Sequence, residues 1–245
     1  MRRASSRTRA FTRIELLAVV ACLTVLVLIQ LPSLGKSREG GHEAVCMNNL
    51  RQLSRALMMY SEASRDIVPG EGNINSTIVN TVNADAWYNL AVQGYFPSMT
   101  SLYVSNNIPL PGNGSIYSCP DAAPPSPPPS ISAAFFMYGI NNRMCVNASS
   151  VAAGAQQTRL SWIIKPSDTI FFGEVDDHTL TSPSLSGITA NFTPARHLGM
   201  GIFAMSDGHV RTIRTNDFKH TDTSAAAEWA APQKVYWFPT PTTPN

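Results

Sequence analysis

Ala10-Phe11-Thr12-Arg13-Ile14-Glu15, running into Leu16-Leu17-Ala18-Val19-Val20-Ala21-Cys22-Leu23-Thr24-Val25-Leu26-Val27-Leu28-Ile29, is the stretch that decides how this chain is built. Ile14 to Leu31 is an apolar run of 18 residues with an acid near its start. As a helix such a run rises roughly 27 Å, enough to cross a bilayer core with little tilt. A carboxylate at the edge of lipid is costly, so it marks function and calls for a partner. Arg2, Arg3, Arg7 and Arg9 precede the run and predict that the leader stays in the cytoplasm while the rest crosses.

A secretory signal is cut after its apolar run, at a small-x-small site. Here the small residue, Ala10, comes before the run, so a cut there removes the basic leader and leaves the apolar helix in place. This arrangement resembles the type IV prepilin signal: a short basic leader, a small residue, Phe-Thr-x-Ile-Glu, then a long apolar helix. The resemblance covers residues 7 to 32. It implies cleavage between Ala10 and Phe11 by a membrane peptidase that also N-methylates Phe11. It further implies that Glu15 neutralises the new amine of a neighbouring subunit as the helices pack into a filament core. Ala10 stands where the family usually has Gly, and Arg13 where it usually has Leu. Near a helix end, Arg13 can snorkel to the interface or sit near Glu15. The alternative is a single-pass anchor carrying an exported binding domain that does not polymerise.

Charge follows the leader. The chain has 18 basic and 16 acidic residues, net +2; without the four leader arginines the balance is net −2. The basic character therefore belongs to the leader, and net charge gives no case for nucleic-acid binding.

Beyond Pro32, which can bend or stop the apolar helix, Cys46, Leu50, Leu53, Leu57 and Tyr60 are spaced 4, 3, 4 and 3 apart. That is one apolar stripe on a 3.6-residue period, with Arg51, Gln52, Arg55 and Glu62 mostly off it. The amphipathic helix is expected over 33–66, loosened at Gly40-Gly41, because glycine disfavours a helix interior by roughly 1 kcal/mol. Asp66 to Gly72, with Pro69 and Gly70, ends it. Residues 67–238 are the expected head, and 239–245 a flexible tail. A head of about 170 residues can bury one core of normal size. Trp87 to Val92 reads as a short helix. Ala133 to Ile140, Ser161 to Ile164 and Thr169 to Phe172 read as strands. Ile202 to Ser206, Asp207-Gly208, then His209 to Ile213 predicts a hairpin on a two-residue turn. Asp121 to Ser132, rich in proline, is an extended loop. The fold class expected is α+β: a long N-terminal helix packed on an antiparallel β-sheet head with long loops.

The hairpin carries a second resemblance. Arg196-His197, nine residues, then Asp207-Gly208-His209 resembles the H-x9-DG pattern of prepilin-like proteins from planctomycete and verrucomicrobial bacteria. Cys46-Met47-Asn48-Asn49-Leu50-Arg51-Gln52-Leu53, Cys119-Pro120-Asp121, Tyr138-Gly139-Ile140-Asn141 and Lys165-Pro166-Ser167-Asp168-Thr169 fit that group in order. The group is similar to pseudopilins of type II secretion and to minor pilins.

His197, Asp207 and His209 have metal-ligand chemistry, as do Glu174, Asp176 and Asp177 at close spacing. The preferred account is plainer: Asp207-Gly208 for turn geometry, His209 opening the return strand, and Glu174 to His178 as a solvated loop. No cofactor is required, and Ca2+ is the ion the pseudopilin resemblance admits. No G-x-S-x-G, H-E-x-x-H, P-loop or dinucleotide fingerprint occurs, so no enzyme is expected. His42 and His220 read as isolated surface residues. Cys22 reads as a packing residue. Cys46, Cys119 and Cys145 would reach the oxidising side, where disulfides persist. Cys46 with Cys119 is the expected pair because both sit in pieces matching the group. Taken together, the resemblances imply a subunit of a type II secretion pseudopilus or a type IV pilus-like filament. Its partners would be the prepilin peptidase/N-methyltransferase, other pilin subunits, an inner-membrane assembly platform and lipid. It would be a single-pass inner-membrane protein with its head in the periplasm, or part of a filament after assembly.

Overall fold

The computed structural model describes residues 12–70, 86–90, 96–126, 135–145, 157–175, 187–188, 190, 193–220 and 224–242, with the backbone alone at 28, 30–37, 90, 100 and 187. The chain is α+β. Two compact units divide between Gly41 and His42.

Helix α1 (Arg13–Ala63) is 51 residues long. Its N-terminus closes in a capping box. Thr12 accepts the Glu15 backbone N–H at 3.3 Å, and Glu15 Oε2 accepts the Thr12 backbone N–H at 2.8 Å and its hydroxyl at 2.9 Å. In the first unit, the described side chains from Thr12 onward are exposed, including Ile14, Leu16, Leu17, Leu23 and Leu26. Among the described residues no helix is long and apolar enough to cross a membrane; the run Ile14–Leu31 includes residues described by backbone alone. Gly40 and Gly41 stay helical, contrary to the expected interruption, and mark the division between units instead.

In the second unit the stripe holds as read: Cys46, Leu50, Leu53 and Leu57 are buried and Tyr60 is half-buried. The helix ends at Ala63, three residues before the expected boundary. Arg65 and Asp66 take left-handed backbone there, at φ 58° and 68°. Asp66 then organises a second segment. Its carbonyl accepts the Leu160 N–H at 3.0 Å, and its side chain accepts the Ser161 N–H at 2.8 Å. That cap makes Leu160–Trp162 a 3-10 turn where a strand from Ser161 to Ile164 was expected.

One sheet organises the head, in the order β3-β1-β2-β4-β5. Its strands are β1 (Tyr138–Asn141), β2 (Ile170–Glu174), β3 (Gly187–Ile188), β4 (Met200–Met205) and β5 (Val210–Arg214). Four are antiparallel; the edge strand β3 pairs parallel with β1, which departs from a wholly antiparallel sheet. Side chains alternate across it. Tyr138, Phe172 and Glu174 face α1 and Trp87: Asn49 of α1 reaches the Tyr138 hydroxyl at 3.4 Å, and Phe172 meets Trp87 edge-on at 4.8 Å. The opposite face carries Asn141, Gly173, Gly201 and Phe203. Phe203 stacks edge-on with Phe218 at 4.9 Å and Trp237 at 6.0 Å. A Cβ on Gly173 would meet the Phe203 ring at 2.7 Å, and one on Gly201 would meet it at 2.8 Å, so both glycines make room for that ring.

Short helices fill the rim: α2 (Trp87–Leu90), α3 (Met99–Val104), α4 (Thr215–Phe218) and α5 (Ala225–Trp229). Residues 235–239 join the core, so the first residue of the expected 239–245 tail is buried, while 243–245 lie outside the described residues. Phe238 is buried, Tyr236 bridges Thr169, and the Pro239 carbonyl accepts the Ile164 N–H at 3.2 Å. Asn141 donates to the carbonyls of Ile170 and Trp237 at 2.6 and 2.7 Å, tying sheet to C-terminus.

The β4–β5 hairpin exists, with a different turn. Met205 exchanges hydrogen bonds with Gly208 and His209 across three residues, and of Asp207 and Gly208 only Gly208 has positive φ, at 91°. This is the three-residue loop with glycine in the left-handed position. Asp207 Oδ1 accepts the His209 N–H at 3.2 Å, holding it in that form. The two-residue turn with both central φ positive occurs instead at Leu198-Gly199, φ 53° and 79°, between His197 and Met200.

Candidate functional site

Four elements converge in the head beneath α1. The stripe of α1 brings Cys46, the loop after Tyr117 brings Cys119, the end of β2 brings Glu174, and the turn entering β4 brings His197. All four are buried, and their ligand atoms lie within 4.8 Å of one another. The sulfurs of Cys46 and Cys119 are 2.8 Å apart, and both are free thiols. Cys119 Sγ donates to Glu174 Oε1 at 3.1 Å, and His197 Nε2 reaches the same oxygen at 3.0 Å. Glu174 Oε2 is buried with no hydrogen-bond partner.

A shell of charge surrounds these four. Arg196 Nη1 stands 3.8 Å from Glu174 Oε1, and Arg196 Nη2 donates to the Val175 carbonyl. Behind the imidazole, Asp121 Oδ2 lies 3.2 Å from His197 Nδ1, and Asp121 Oδ1 lies 2.5 Å from His42 Nδ1. Burial opposes charge on His197, but hydrogen bonds to Cys119 and Glu174, and the charge of Glu174, outweigh it and raise its pKa to about 10. The Cys119 thiol is pushed up, first by its hydrogen bond with Cys46 and then by burial. A nucleophilic cysteine needs a lowered pKa and access. Cys119 is buried, and its surroundings hold the thiol in its protonated form.

The structure redistributes the residues singled out in sequence. Cys46 and Cys119 lie side by side as free thiols and not in the expected disulfide, while Cys145 lies elsewhere, with its sulfur 3.4 Å from the Pro69 carbonyl. His197 joins Glu174 and not the hairpin. Asp207 and His209 pair with each other at 2.6 Å, exposed at the hairpin tip. Glu174 ends a buried strand rather than opening a solvated loop. Among the described residues, the group of Cys46, Cys119, Glu174 and His197 is the one with metal-ligand spacing. Asp176 and Asp177, and the processing pair Ala10 and Phe11, lie outside the described residues. Glu15 is described, at the capping box.

Two histidines read as isolated are not. His42 pairs with Asp121, and His220 Nε2 lies 3.3 Å from the buried Glu228 Oε1. Asp121, His42 and Arg196 are the site residues that sequence reasoning missed. Their signal was adjacency: Cys119-Pro120-Asp121 and Arg196-His197 were each noted as short pieces, and the fold brings both to one point. Compared with known proteins, the chain matches no family model, no curated protein and no solved structure.

Proposed function

We propose that the chain is a pilin-like structural subunit, processed at Ala10–Phe11 and assembled through α1 into a type II secretion pseudopilus or type IV pilus-like filament. The observation that carries this proposal is the order small residue, Phe11-Thr12-x-Ile14-Glu15, then an apolar helix. Two features support it. A single 51-residue helix begins at this motif, and its later residues supply one wall of the head core. The apolar run would sit in the inner membrane before assembly, with the head on the periplasmic side. Peptidase, sister subunits and an assembly platform would be its partners, and it would carry no catalytic centre.

The capping box gives Glu15 a second role. In a capping box Gln serves as well as Glu, so an acid is not needed for the cap alone. That separates the filament from a plain anchor. Glu15→Gln keeps the cap and removes the charge that would neutralise a neighbour's Phe11 amine. The filament reading expects Glu15→Gln to insert in the membrane and fail to assemble. Normal assembly of this variant sinks it. Intact mass checks processing: a mature chain starting at Phe11 with one added methyl group is expected, and a chain retaining Arg2 points to the non-polymerising anchor.

A further inference from the structure

We propose that Cys46, Cys119, Glu174 and His197 bind one divalent zinc-class ion that staples α1 to the head. This goes beyond the filament reading and does not depend on it.

The donor set comes first. Two sulfurs, one imidazole nitrogen and one carboxylate oxygen are soft-to-borderline ligands, suited to zinc rather than to calcium, which takes six to eight oxygens. Four protein ligands from four elements would fill all four positions of a tetrahedral ion, the form of a structural rather than a catalytic zinc site. Around zinc, with bonds of about 2.0 to 2.3 Å, ligand atoms stand roughly 3.3 to 3.8 Å apart. The contacts here, 2.8 Å between sulfurs, 3.1 Å from Cys119 to Glu174 and 3.0 Å from His197 to Glu174, are shorter. At these three contacts an outward shift of under about 1 Å reaches the tetrahedral spacing, and all four ligand atoms lie within 4.8 Å of one another.

The surroundings carry the argument further. A metal-bound histidine usually gives its other ring N–H to a carboxylate, which fixes the tautomer. Asp121 occupies that position on His197 Nδ1 and is itself held by His42. Glu174 is fully buried with Oε2 unpartnered; only its Oε1 is served, by His197 at 3.0 Å and Arg196 at 3.8 Å, and a carboxylate is costly to bury half-satisfied. Two thiolates and one carboxylate against a divalent ion leave −1 at the ligands, with the Arg196 guanidinium and the Asp121–His42 pair beside them. Binding releases the two thiol protons and any proton on Nε2; no oxidant or reductant takes part.

The competing chemistry is a Cys46–Cys119 disulfide. It would remove two electrons and two protons to an external oxidant and strip from Glu174 Oε1 its thiol donor, leaving the buried carboxylate with less support. The test uses the purified full chain, prepared without added chelator. Elemental analysis after desalting is expected to give one zinc per chain, with peptide mapping showing both thiols unoxidised. Exchange into Co2+ is expected to give the sulfur-to-metal charge-transfer and strong visible bands of a tetrahedral thiolate site. Those bands should vanish in Cys46→Ser and weaken in Glu174→Gln. Isolation with Cys46 linked to Cys119 and no bound metal overturns the proposal. So does a reduced wild-type chain that gives no tetrahedral cobalt spectrum, which keeps the test decisive even where a variant fails to fold.

Discussion

Asp121 Oδ2 stands 3.2 Å from Nδ1 of the buried His197 and so determines which ring nitrogen faces the two sulfurs. Its contribution is charge as well as orientation. Asp121→Asn keeps an oxygen able to accept the Nδ1 proton but loses the charge that raises ligand basicity. Zinc affinity, measured by competition with a chromophoric chelator, is expected to fall about 10- to 100-fold while the fold persists. Unchanged affinity would show that the carboxylate has no part in the site.

Glu228 is fully buried, and its two oxygens accept the backbone N–H groups of Trp237 and Phe238, each at 2.8 Å. Removing them leaves two buried donors unpaired at the point where the chain end enters the core. Hydrogen bonds to charged groups contribute about 1.5–3 kcal/mol each. Glu228→Ala is therefore expected to cost about 3 kcal/mol in urea unfolding, and Glu228→Gln less, because its carbonyl still accepts one N–H.

Gly208 combines a φ of 91° with a close approach to α1, where an added Cβ would meet Met58 Sδ at 2.9 Å. Gly208→Ala is expected to lose about 1–2 kcal/mol from the backbone conformation. Met58 is flexible and can move aside. Adding Met58→Ala should therefore restore little of the loss; a full recovery would show that contact, not backbone, is the cost.

Leu198 is the reverse case. It sits at φ 53° in the two-residue turn after His197, with its side chain 73 % exposed. Leucine tolerates that conformation poorly and asparagine well, and Asn-Gly is the favoured pair for this turn. Leu198→Asn is expected to raise stability by about 0.5–1 kcal/mol. A drop in melting temperature would mean that Leu198 packs on something in the assembled state.

Much of the fold was legible because it rests on local periodicity. The 4, 3, 4, 3 stripe from Cys46 to Tyr60 needs only the helix repeat to fix which face is buried. Strand β2 and the β4–β5 hairpin follow from apolar runs around Asp207-Gly208. Where a remote partner intervened, the local signal failed. Ser161 became part of a 3-10 turn because Asp66 caps it from 95 residues away. Gly208, not the Asp207-Gly208 pair, carries the turn, since the Asp207 side chain closes onto His209. Pro239, expected to open the tail, is buried because its carbonyl accepts the N–H of the remote Ile164.

The same division holds for function. Sequence by itself determined the order of basic leader, Ala10, Phe11, Glu15 and apolar helix, since that order is linear and is read one residue after another. It also supplied Cys46, Cys119, Glu174 and His197, but under three separate headings: the two cysteines as a disulfide, Glu174 in an acidic loop, His197 in a hairpin pattern. Only the tertiary structure decided that these four belong together and that Asp207 and His209 do not. Ligand geometry is set by where four separate elements come to rest, across 151 residues of chain from Cys46 to His197. No local pattern encodes that distance; the packing of α1 against the sheet does.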